Sequence, residues 1–348
     1  MSAPDKQVLL VSMPYGALER QALGLSLLKA GLAERGISCD VTYLTFDFAR
    51  YIGPDKYRWF TADLPYTAFA GDWTFTEALY GPDPEREREY VQRVLRDTWR
   101  MSDADIRRIL RVRHLATQFV TYCAAAVRWH DYRLVGFTST FEQNIAALAL
   151  ARRVKQAHGD VRIVFGGANW EGEMGRALHE RFAFVDLVVS GEADDSFPSL
   201  VEAELAGART GKAGHSSVLQ RVSGLTYRSD GRSCTTPPLP PLRNLDQLPV
   251  PDHSDYFTAL EHSGFAHDIT PALLFESSRG CWWGAKSHCT FCGLNGSTMA
   301  FRSKSDDRVV EELTALARHH ERVDFTLVDT ILDMRYFRDV LPRLREMT

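Results

Sequence analysis

Three cysteines, Cys281, Cys289 and Cys292, crowd into twelve positions with the spacing C-x7-C-x2-C. As thiolates these side chains bind soft metal centres, and three on one loop can converge on a single site. A closed structural zinc site takes four ligands, so His288 or a distant residue would have to complete it. A [4Fe–4S] cluster on three cysteines leaves one iron open to a substrate or cofactor. Spacing alone leaves iron–sulfur, zinc and unliganded cysteines all open. The remaining three, Cys39, Cys123 and Cys234, are scattered as small buried hydrophobes are, and six cysteines in 348 residues do not make a disulfide scaffold.

The loop needs an element to hold it. An apolar strand, Ala272–Glu276, directly precedes it, and a helix over 305–320, a strand over 323–328 and a helix over 336–346 follow. Upstream, strands alternate with helical patterns. Val8-Leu9-Leu10-Val11 is a continuous apolar run, as in a strand buried on both faces, and Leu25, Leu28 and Leu32 follow at helical spacing. Cys39–Leu44, Leu134–Phe137, Arg162–Phe165 and Asp186–Val189 read as four more strands, with helices after the last three. Between the second and third strands, about 53–130, aromatics and then helical spacing predict a helical insertion with Trp73, Trp99 and Trp129 in its core. Five strands with helical crossovers predict a Rossmann-like, doubly wound parallel sheet over 1–205, whose ligands sit outside the carboxyl ends of the strands. Gly16, Gly166, Gly167 and Gly191 fall there. Residues 206–253 read as a hairpin around Ser229-Asp230-Gly231 plus a proline-rich linker, and 254–348 as a second unit.

Net charge is −4, without the basic excess of a general nucleic-acid binder. No apolar run reaches bilayer-spanning length, and the N-terminus lacks a basic region followed by a cleavage signal. A cytoplasmic protein with neither nucleic acid nor membrane as partner is expected.

From Ser278-Arg279-Gly280-Cys281 to Cys289-Thr290-Phe291-Cys292-Gly293, the loop resembles the cluster-binding loop of the radical SAM superfamily, Cys-x3-Cys-x-aromatic-Cys after the first barrel strand. The x7 gap departs from the usual x3 and occurs in some subfamilies. The N-terminal half resembles the cobalamin-binding domain that precedes such barrels. It does so at Pro14-Tyr15-Gly16, Ser139-Thr140, Gly166-Gly167-Ala168-Asn169 and Ser190-Gly191-Glu192-Ala193-Asp194. With Leu248–Asp252 and Asp329–Phe337, the order is similar to the group called RiPP maturation radical SAM protein 1.

The resemblance implies a [4Fe–4S] cluster on Cys281, Cys289 and Cys292, and S-adenosylmethionine near Phe291, Gly293 and Asp329. It implies cobalamin near Tyr15, Gly16, Ser139, Thr140, Gly166, Gly167, Asn169, Gly191 and Glu192, with Tyr15 and Trp170 packing on it. It further implies a ribosomal precursor peptide as substrate, a flavodoxin- or ferredoxin-type electron donor, and C-methylation. Peptide epimerisation or cross-linking is the alternative, and a non-enzymatic zinc module a second one. The Asp-x-His-x-x-Gly motif that ligates cobalt in many cobalamin proteins is absent. Read from residues alone, Asn169 and Glu192 equally suit helix caps or surface positions, Gly166-Gly167 suits close helix packing, and His319-His320 suits a solvated turn. A radical SAM barrel needs roughly four more βα units than follow the cysteines. The chain therefore reads as a truncated or split protein that binds its cofactors weakly and turns over poorly alone.

Overall fold

The structure is a computed structural model and describes residues 6–207, 216–293 and 299–346. Its main sheet has seven strands in the order β2-β1-β3-β4-β5-β6-β7. They are β1 (Lys6–Ser12), β2 (Cys39–Tyr43), β3 (Tyr132–Thr138), β4 (Arg162–Gly166), β5 (Leu187–Val189), β6 (Leu225–Ser229) and β7 (Arg232–Thr235). The first five are parallel, in the doubly wound order whose switch point lies between β1 and β3. Val8 to Val11, Leu134 to Phe137 and Ile163 to Phe165 are buried, as strands covered by helices on both faces must be.

The hairpin β6–β7 is not part of a linker. It pairs antiparallel onto β5 and extends the sheet, because the edge of β5 offers unpaired backbone groups and Leu225 and Tyr227 supply apolar faces. Helix Ser254–Glu261 also belongs to the first core. Tyr256 packs against Tyr43 and Phe46 and donates to Leu18 O. The insertion begins earlier than the aromatics suggest, since Leu44 opens a helix, Leu44–Ile52, directly after β2. Trp129 is fully buried within that core, whereas Trp99 stands partly in solvent.

The second unit has its own core of Leu273, Phe275, Val309, Leu313, Leu316, Tyr336 and Val340. Strand β8 (Leu273–Phe275) pairs parallel with β11 (Phe325–Leu327), and helix Asp306–His320 connects them across the face. Ser305 caps that helix by accepting from Arg308 N. His320 is half-buried against Phe257 and His253, so it does not sit on a solvated turn. Between β8 and the helix runs the cysteine loop, closed at its base by β9 (Ser278–Arg279) pairing antiparallel with β10 (Arg302–Ser303). Among the described residues no helix is long and apolar enough to cross a membrane.

Candidate cofactor site

Glycines at the carboxyl ends of the parallel strands leave a hollow. A cavity of about 310 Å³ is lined by Leu10 of β1, Gly136 to Thr138 of β3, Val164 to Gly167, Val189, Gly191 and Glu192, and by Leu23, Leu25, Leu27, Leu28 and Phe197. Gly136 is tight as well as empty. A Cβ there would lie 2.7 Å from Leu10 Cδ2. The walls are apolar and the mouth is charged, through Glu192, Asp194, Glu276 and Arg279.

Arg279, two residues before Cys281, organises that mouth. It reaches Glu276 Oε1 at 2.6 Å through Nη2, Asp194 Oδ2 at 2.6 Å through Nη1, and Glu192 Oε2 at 3.3 Å. These contacts hold its guanidinium well above the usual arginine range despite burial, which works the other way. Arg279 is therefore one of the groups through which the first and second units meet. On the other side of it lies a second cavity, of about 540 Å³ and mixed lining, walled by Pro238, Leu239 and Pro241, by Glu171 and Ser190, and by Val328 and Thr330 at the end of β11.

The cysteine loop starts at Gly280, whose φ of +82° and close approach to Ala300 O, 2.1 Å from where a Cβ would stand, admit only glycine. Cys281 Sγ accepts from Gly284 N at 3.2 Å, and Cys292 N donates to Cys289 O. All three thiols are free and half-buried. The donor set is chemically right for a thiolate-bound cluster. Its sulfurs, however, are not brought together, and among the described residues no group of three His, Cys, Asp or Glu converges as a metal requires. A turn at Cys281–Ser287, with Ala285 N on Cys281 O and Ser287 N on Trp283 O, carries the chain away before the Cys289–Cys292 turn begins.

No family model matches the chain. It is 29% identical over 202 residues, 57% of its length, to an uncharacterized methyltransferase of Pyrococcus horikoshii, and spans 39% of that protein. Two structures of the radical S-adenosylmethionine methyltransferase TsrM from Kitasatospora setae match over 99% of the chain. One, with tryptophan substrate and the analogue aza-SAM bound, gives a TM-score of 0.53 at 16% identity. The other, with cobalamin and a [4Fe–4S] cluster bound, gives 0.55 at 15%. The chain shares their fold. It spans about half of their length, 52%.

Within this fold the residues expected from sequence fall into groups. Gly166, Gly167, Gly191 and Glu192 line the apolar cavity together. Ser139 and Asn169 do not line it and instead knit two strand ends. Asn169 Nδ2 donates to Ser139 Oγ at 2.9 Å and to Phe141 O at 2.8 Å, while Gly167 has φ +90° and lies so close that a Cβ would sit 2.6 Å from Ser139 O. Thr140 forms a capping box with Gln143. Gly16 gives its carbonyl to Tyr57 Oη.

Two expectations are corrected. Tyr15 cannot pack on a ligand in the cavity, because it is buried among Phe48, Tyr57, Phe60 and Phe75 with its hydroxyl on Thr74 at 2.8 Å. Trp170 is equally inward, 4.2 Å from Phe165 and bonded to Asn144. The aromatic-rich insertion takes the Tyr15 ring into its own core, whereas Trp170 covers the β4 face. Phe291 is 89% exposed and Gly293 also faces solvent. Asp329 is occupied structurally. Its Oδ1 accepts from Ser277 N and Ser278 N at 2.8 and 3.0 Å, and its Oδ2 from the Ser277 hydroxyl.

Sequence reasoning did not assign Arg279, Asp194, Glu276 or Arg302 to a common site, since nothing local links them. It also missed Phe141, which holds φ +48° at the end of β3 with 85% of its surface exposed. An aromatic between a strand-end Ser-Thr and a Glu-Gln capping pair was the available signal. Glu142 and Asp72 cap each other's neighbours: Glu142 accepts from Gly71 N and Asp72 from Ile145 N, each 2.8 Å. Burial pushes Glu142 up to about 7 and Asp72 to about 6.

Proposed function

We propose that the chain is the cobalamin- and cluster-binding part of a radical S-adenosylmethionine methyltransferase acting on a carbon of a ribosomally made peptide. The observation that carries the reading is the abutment of two features. A glycine-lined cavity at the carboxyl edge of a doubly wound sheet meets, through Arg279, the base of a loop with three half-buried thiols.

When bound, a cluster would supply one-electron reduction of S-adenosylmethionine and cobalamin would carry the methyl group. Cys281, Cys289 and Cys292 would hold the cluster, and metal ligation is commonly coupled to local folding of its loop. Gly136, Gly166, Gly167 and Gly191 line the cavity, Gly191 with open space where a side chain would stand, and the apolar walls would favour an apolar part of a ligand over water. Among the described residues no histidine lines that cavity, so none of them would offer a cobalt centre seated there an imidazole. Asp329 positions the loop's first residues by holding the Ser277–Ser278 backbone. S-adenosylmethionine would sit on the Phe291–Gly293 side of the loop. A precursor peptide and a flavodoxin- or ferredoxin-type donor would be the partners.

The test is anaerobic reconstitution with iron and sulfide, then hydroxocobalamin, then S-adenosylmethionine carrying a labelled methyl group with a candidate peptide. Expected are bound iron and sulfide that vanish in the triple Cys→Ala variant, cobalamin uptake that survives it, and label in peptide. Zinc in place of iron, or iron content unchanged in the triple variant, overturns the reading. Peptide altered without gaining label would favour epimerisation or cross-linking.

A further inference from the structure

The cysteine loop leaves and re-enters the second unit through the short β9–β10 ladder, in which Arg279 stands opposite Arg302. Both arginines reach the same carboxylate. Arg302 Nη2 donates to Glu192 Oε1 at 2.7 Å and Nη1 to Oε2 at 2.9 Å, while Arg279 Nη1 lies 3.3 Å from Oε2. Glu192 also accepts from Leu242 N at 3.1 Å, and Arg302 donates to Leu242 O at 2.8 Å, which ties in the proline-rich segment. Burial works against ionisation of Glu192, yet the Arg302 hydrogen bonds and the Arg279 charge hold its carboxyl below the usual range. One side chain from the end of β5 therefore grips both ends of the loop.

The same side chain is a wall of two compartments. Glu192, with Gly191, Glu276 and Arg279, lines both the apolar cavity over the sheet and the second one against Pro238 and Pro241. Any ligand that fills the apolar cavity up to its mouth touches the group that fixes the loop. Any metal that draws the three cysteines together pulls on the ladder that the group holds.

We propose that Glu192 is a positioning residue that couples the sheet-edge cavity to the cysteine loop, so that a corrinoid in the cavity and a metal cluster on the cysteines each favour the binding of the other. The identity of the two ligands rests on the function proposed above; the clamp itself does not. Coupling of this kind is reciprocal.

The experiment has two arms on the full chain. Without added cofactor, iodoacetamide alkylation of each cysteine is followed by peptide mass mapping. Losing a charge-assisted contact should raise the population of opened loop about tenfold, so Glu192→Gln should alkylate faster by that factor at Cys281, Cys289 and Cys292. Buried Cys39 and Cys123 report on the fold and should not change. Glu171→Gln, in the same second cavity without an ion pair to either arginine, should match the parent.

In the second arm, hydroxocobalamin is titrated by absorbance before and after anaerobic cluster reconstitution. The parent should bind about tenfold more tightly after reconstitution, and Glu192→Gln should show the same Kd in both states. Equal alkylation in parent and Glu192→Gln overturns the clamp, and coupling that survives in the variant overturns the role in coupling. If Glu192→Gln exposes Cys39 and Cys123, Arg302→Lys is read instead, with faster alkylation at the same three cysteines expected and parental rates overturning the clamp. A parent that binds no hydroxocobalamin overturns the proposed function and the ligand half of this inference, while alkylation still decides the clamp.

Discussion

Lys304 and Glu312 form an ion pair with side chains 0% and 1% exposed, directly behind the re-entry point of the cysteine loop. Lys304 Nζ donates to Glu312 Oε2 at 2.7 Å and Oε1 at 2.9 Å and lies 4.9 Å from the Phe275 ring centre. Its backbone N bonds Ser277 O and its carbonyl accepts from Tyr336 Oη, so the pair and the loop base move together. At that separation the gross attraction is about 6 kcal/mol for an effective dielectric of about 20. Burial nevertheless raises the Glu312 pKa against the pull of Lys304, so desolvation outweighs pairing. Two consequences follow with opposite signs. Lys304→Met should destabilise the second unit by about 3 kcal/mol, the lower end of the range for breaking a buried pair, since Arg308 Nε remains 3.4 Å from the carboxylate. The double variant Lys304→Met/Glu312→Leu should be within about 1 kcal/mol of the parent or more stable. Hydrogen exchange at the amides of β8 and β11 reads the opening free energy of that unit. A single variant with unchanged protection, or a double variant as damaged as the single, would refute the reasoning.

Three further outcomes are expected. Glu142 has its pKa raised by burial to about 7, so the folded state binds its proton more tightly than the unfolded chain. Its contribution to stability is then full below the unfolded pKa near ~4.3 and declines as pH rises to about 7, and a melting series should show Glu142→Gln lacking that decline. Gly167→Ala places a Cβ 2.6 Å from Ser139 O in a left-handed backbone, and urea denaturation should register a loss of about 2 kcal/mol or more. Tyr15→Phe removes one buried hydroxyl contact to Thr74 and should cost about 1 kcal/mol. Hydroxocobalamin affinity should not change in that variant, and a marked loss would return Tyr15 to the cavity.

Much of the frame was legible because its signals are local. Strand runs such as Val8–Val11 and Ile163–Phe165, the capped helix after Ser305, and the glycines at strand ends each follow from short-range periodicity or backbone freedom. The hairpin was legible too, from its Ser229-Asp230-Gly231 turn, but its attachment to β5 was not, since edge pairing leaves no mark on the paired strand's own pattern. Tyr15 misled for a related reason. An aromatic beside a glycine turn at a strand end has the same sequence whether it faces a ligand or the insertion, and only the packing of Phe48, Phe60 and Phe75 decided.

The sequence by itself determined the chemistry on offer: three thiols on one loop, carboxylates and glycines at strand ends, and a sheet to present them. Tertiary structure alone decided their partnerships. Glu192 meets Arg302 across 110 residues and Asp194 meets Arg279 across 85, distances over which no hydrophobic period carries information. Residue type and local spacing are properties of a few neighbouring positions. The choice of charge partner is a property of how two separately built cores dock.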